Sequence, residues 1–99
     1  MVNMLSTENF EQEATKGLVL IDFFATWCGP CKMLSPIVDE LSEEMKDVKF
    51  FKVDVDENEE LVTRFGIEAM PTLVILYDGK LVNKSVGFKP KAAIKALLA

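Results

Sequence analysis

The chain has no histidine and only two cysteines among its 99 residues. Zinc and iron–sulfur sites usually take four ligands. Without histidine, Cys28 and Cys31 complete such a site only with carboxylates or a second subunit, so no metal is expected. Positive charge is also scarce. Lys and Arg number 11 against 16 Asp and Glu, for a net charge of −5 and a pI near 4.7. That balance argues against nucleic acid and anionic membrane surfaces, which both select basic patches. Long apolar runs are missing too. The most apolar stretch, residues 18–25, is interrupted by Asp22 and is far too short to span a bilayer. The first 17 residues are polar and carry Glu8, Glu11 and Glu13, so no signal peptide is expected and the expected compartment is the cytoplasm. No linker, repeat or low-complexity segment divides the chain, which reads as a single domain over residues 1–99. A monomer is expected.

What is present suits a packed core, with 49% hydrophobic and 27% charged residues. Residues 2–5 can form a short edge strand. Ser6 or Thr7 can cap a helix that buries Phe10 and Ala14 and stops at Gly17. Residues 18–25 read as a central strand covered on both faces. A helix is expected over 28–45, with Met33, Leu34, Ile37, Val38, Leu41 and Met45 as its buried stripe and a kink at Pro36. Residues 48–55 give a second buried strand. Asn58 can cap a short helix that buries Leu61, Val62 and Phe65 and ends at Gly66. Residues 72–77 and 81–86 form two strands joined by Asp78-Gly79, a strong hairpin signal. Pro90 suits the first turn of a last helix that buries Ile94, Leu97 and Leu98. The order β-α-β-α-β-α-β-β-α implies parallel βαβ units closed by an antiparallel pair. The expected fold is therefore α/β, a mixed central sheet with helices on both faces. The acidic run Asp54-Val55-Asp56-Glu57-Asn58 is not a calcium loop, because Glu59 stands where Gly is needed and Phe65 where a bidentate Glu is needed.

Both cysteines lie in Trp27-Cys28-Gly29-Pro30-Cys31-Lys32, where the apolar strand gives way to the amphipathic helix. A helix start offers unpaired N–H groups and a positive dipole end, which stabilise a thiolate. Pro30 fits the first turn, where its missing N–H costs nothing. Cys31 follows Cys28 by three residues, so both thiols share one helix face and can close a short disulfide. Such a loop is too small to constrain the unfolded chain much, which counts against a purely structural bond. Two buried thiols acting as small apolar groups remain the plain alternative. CxxC after a strand and opening a helix points to redox chemistry.

The run from Ile21 to Lys32 resembles the active-site segment of the thioredoxin family. The resemblance continues through Pro36, Lys52, Asp54-Val55-Asp56, Gly66-Ile67, Met70-Pro71-Thr72, Asp78-Gly79 and Gly87. Phe24 departs from it, standing where many members carry a second tryptophan. The resemblance implies a thioredoxin-like fold, with the strand after Pro71 antiparallel to the central one. It implies a thiol–disulfide oxidoreductase with Cys28 as nucleophile at an exposed turn and Cys31 as the deeper resolving thiol. No cofactor is then needed beyond a redox-active Cys28–Cys31 disulfide. The implied partners are protein disulfides and a thioredoxin reductase. It also implies a cis bond before Pro71, and a substrate surface of Trp27, Gly29, Pro30, Met70, Pro71 and Gly87. Read without it, Trp27 is a core residue, Gly87 a strand-end glycine and Lys52 an exposed lysine. A binding module whose thiols are incidental is the alternative function. Asp22 stands apart: a carboxylate inside a buried strand is costly, and desolvation raises its pKa. A raised acid near Cys31 can accept the proton of that thiol. The competing possibility is an ion pair with Lys52 that keeps Asp22 charged.

Overall fold

The computed structural model describes residues 1–99. Five strands form one sheet: β1 (Asn3–Met4), β2 (Leu18–Phe24), β3 (Lys49–Asp54), β4 (Thr72–Tyr77) and β5 (Lys80–Val86). Four helices surround it: α1 (Phe10–Glu13), α2 (Gly29–Glu44), α3 (Glu59–Phe65) and α4 (Lys91–Leu97). The strand order is β1-β3-β2-β4-β5, which puts the most apolar strand at the centre. β2 runs parallel to β3 and antiparallel to β4. The hairpin turn Asp78-Gly79 has positive φ at both residues, 50° and 83°, as a tight turn between right-twisted strands requires.

Strand alternation distributes β2 between two cores. Val19, Ile21 and Phe23 point into one, packed with Phe10, Ala14, Leu61 and Ile67 from the α1 and α3 side. Leu20 points into the other, with Leu34, Val38 and Leu41 of α2 and Ile94 of α4. Each of these side chains is out of water, a gain of about 1.5–3 kcal/mol apiece for all but the smaller Ala14. Asp22 is in phase with Leu20 and therefore faces α2, not solvent.

Several local expectations change. The first helix begins only at Phe10, with Asn9 at its cap position and Ala14 at its end. Ser6 instead exchanges hydrogen bonds with Asn9, 2.8 and 3.3 Å, in the preceding turn. Gly17, at φ 74°, lies past that end; its N–H donates to the Asp78 carboxylate at 2.8 Å and its carbonyl accepts the Asp78 N–H at 3.0 Å. Asn58 sits at the start of α3 but does not cap it with its side chain. That amide donates to the Asp54 carbonyl and accepts from the Thr7 N–H, so it fastens two loops together. Met33 is exposed, because the buried stripe of α2 follows Cys31, Leu34, Val38 and Leu41. As expected, α2 runs on through Pro36.

Candidate redox site

The end of β2 delivers the chain to the N-terminus of α2. Cys28 is the N-cap residue, in extended conformation, and the helix proper opens with Gly29 and Pro30. This moves the helix start one residue past Cys28. Its Sγ accepts the backbone N–H of Cys31 at 3.2 Å, in the manner of a capping oxygen. The same sulfur is joined to Cys31 in a disulfide, with the two Cα atoms 5.3 Å apart. An electron-rich sulfur is thus held where the helix offers a free N–H and its positive end.

Cys28 does not stand at an exposed turn. It is 6% accessible and Cys31 is 4% accessible, so the two differ little in depth. Both pack with Ala25, against Phe24, Val55 and Met70. The Met70 carbonyl oxygen lies 3.7 Å from Cys28 Sγ. Met70-Pro71 is a cis peptide. Pro71 itself is buried, so it underlies the surface and does not form it; Met70 is half-buried. Gly87 follows β5 at φ 92°, with nothing within 4 Å of the place a Cβ would take, and donates its N–H to the Pro71 carbonyl at 2.8 Å. Trp27 is no core residue: it is 67% exposed, and its indole N–H donates to Asp56 at 3.0 Å. Gly29 and Pro30 are exposed beside it. Trp27, Gly29, Pro30 and Met70 therefore come together around the sulfurs, and Gly87 is tied to them through its bond to Pro71.

Behind the disulfide a cavity of about 260 Å³ is lined by Asp22, Phe24, Cys31, Ser35 and Lys52 among others. Asp22 is 1% exposed, and its Oδ1 has no hydrogen-bond partner. Burial pushes its carboxyl from the ordinary 3.8 up to about 7; the Lys52 charge opposes this and the Asp39 charge adds to it. Lys52 is the register partner of Asp22 across the β2–β3 pair. Its ammonium nevertheless donates to Ser35 Oγ at 2.8 Å and lies 3.9 Å from Asp39. The expected alternative, an Asp22–Lys52 ion pair, does not form. Ser35, Asp39 and Asp56 were not identified from sequence. The signal for two of them was helical spacing, since Cys31, Ser35 and Asp39 recur every fourth residue on one face of α2.

The family model for thioredoxin matches residues 1–99. A thioredoxin of Bacillus subtilis is 50% identical over 92 residues, 92% of this chain and 88% of that one. A thioredoxin of Chlamydia trachomatis is 44% identical over 99 residues, 100% of this chain and 97% of that one. Among solved structures, a Malassezia sympodialis thioredoxin superposes with a TM-score of 0.88 at 41% identity, covering 100% of this chain and 92% of that one.

Proposed function

The chain belongs to the thioredoxin family and is a thiol–disulfide oxidoreductase; from that premise we propose that Cys28 is its nucleophile, Cys31 its resolving thiol and Asp22 the acceptor of the Cys31 proton. The observation that carries the assignment is the N–H of Cys31 aimed at Cys28 Sγ at the helix N-terminus. A negative charge on that sulfur is stabilised there before any substrate arrives.

The reaction runs in two exchanges. The Cys28 thiolate attacks one sulfur of a substrate disulfide. The substrate S–S bond breaks, and its other sulfur leaves as a thiolate. Cys31 then loses its proton to the Asp22 carboxylate across the cavity both residues line. Its thiolate attacks Cys28 Sγ, and the second substrate sulfur leaves. Two electrons have passed to the substrate, and the Cys28–Cys31 disulfide remains. A carboxyl with pKa about 7 suits this role, being able to take and return a proton near neutrality. A thioredoxin reductase returns the electrons. The substrate surface is largely uncharged, with Trp27, Met70 and Gly87 around the sulfurs, which fits extended protein segments. The cytoplasm, where such thiols are kept reduced, is the fitting compartment. No helix is long and apolar enough to cross a membrane.

The test is a trap. Cys31→Ser incubated with protein disulfides should accumulate mixed disulfides at Cys28, because attack proceeds and resolution cannot. Cys28→Ser should trap nothing. Mixed disulfides on Cys31 in the Cys28→Ser protein, with none in the converse variant, would reverse the assignment.

A further inference from the structure

Lys52 is placed by strand register to neutralise Asp22, yet it does not. The two residues are partners across β2 and β3, so their side chains rise from the same face of the sheet toward α2. The Asp22 carboxyl is buried with one oxygen unpartnered. The Lys52 ammonium has turned to α2, donating to the Ser35 hydroxyl at 2.8 Å and standing 3.9 Å from Asp39. We infer that Ser35 is a positioning residue, holding the Lys52 ammonium on the helix side of the cavity so that Asp22 stays unpaired.

The geometry gives Ser35 this role more than Asp39. The Asp39 side chain is 57% exposed, and 3.9 Å is too long for a hydrogen bond, so its pull is screened. Ser35 is half-buried and makes the short contact. Its position four residues after Cys31 puts the hydroxyl over the same cavity. The ionisable groups around that cavity are few. Lys52 comes from β3, and Cys31, Lys32 and Asp39 come from α2. The β4 residue opposite Asp22 is Leu73, which is apolar and fully buried. Of the two lysines, Lys32 is exposed and only the Lys52 charge acts on Asp22, so Lys52 is the cation whose placement decides the charge state of that carboxyl. An ammonium brought against a buried carboxylate favours its ionised form and weakens it as a proton acceptor. The consequence for catalysis rests on Asp22 taking the Cys31 proton; the consequence for Asp22 titration does not.

The experiment follows the Asp22 carboxyl carbon by NMR across a pH series, beside the pH profile of protein-disulfide reduction. In Ser35→Ala the Asp22 midpoint should fall by about one unit, the lower end of what an adjacent opposite charge produces. Ser35→Thr retains a hydroxyl and should keep the wild-type midpoint. In a Lys52→Met background, Ser35→Ala should leave the midpoint where Lys52→Met alone put it. An unchanged midpoint in Ser35→Ala, or an equal fall without Lys52, overturns the inference. A midpoint that falls while the reduction profile stays in place upholds the role of Ser35 and removes Asp22 as proton acceptor.

Discussion

Replacing Asp22 by Asn should make the protein's stability far less sensitive to pH. The carboxyl titrates at about 7 in the folded protein against an ordinary 3.8. Between those values the native state holds a proton that the unfolded chain has lost. The group's contribution is therefore complete below pH 3.8, declines as pH rises through the folded value, and is gone above it. At 1.36 kcal/mol per unit, ionisation of this group removes about 3–4 kcal/mol of stability between pH 4 and pH 8. Most small domains have only 5–15 kcal/mol in total, so the loss is large. Asparagine keeps the shape and does not titrate. Its amide adds a fixed cost in the cavity, which cancels when the two pH values are compared. Urea melts of the oxidised wild-type and Asp22→Asn proteins at pH 4 and pH 8 supply the four free energies needed. The variant should gain about 3–4 kcal/mol on the wild type over that interval. It should also reduce disulfides more slowly at neutral pH, since no carboxylate remains to take the Cys31 proton. Parallel stability curves for the two proteins would show that Asp22 is not held protonated by burial. Undiminished turnover would show that its protonation is irrelevant to catalysis.

Two further outcomes are expected. Trp27 is the sole tryptophan and adjoins Cys28, so its emission should rise when dithiothreitol opens the disulfide; an unchanged spectrum, with thiol titration confirming reduction, would separate the ring from the disulfide. Gly87→Asp should raise the Michaelis constant for protein substrates and, because Gly87 sits at φ 92°, cost about 1–2 kcal/mol of stability in a urea melt even though the site has room for a Cβ; equal kinetics would take Gly87 out of the substrate surface.

The element order, the central place of the apolar strand and the CxxC at a helix start were legible in the residues themselves. Each is a local property. Unbroken apolarity over residues 18–25 demands cover on both faces, and Asp78-Gly79 permits a tight turn wherever the chain goes. Strand order was not legible, because pairing is decided between segments far apart in sequence. The resemblance supplied the antiparallel placement of the strand after Pro71. Fine detail failed where a side chain had a choice of distant partners. Asn58 can cap its own helix, yet it bonds to Thr7 and Asp54 because the fold brings them within reach. Cys28 caps a helix, yet Met70 and Phe24 pack against it. Asp22 shows the division most clearly. Its burial follows from the apolar residues around it, since a central strand is covered on both faces. Its lack of a partner does not follow, because Lys52 lies opposite and is free to pair with it. Only the packing of α2 across the sheet, which sets Ser35 within 2.8 Å of that ammonium, decided which of two oxygens the lysine took.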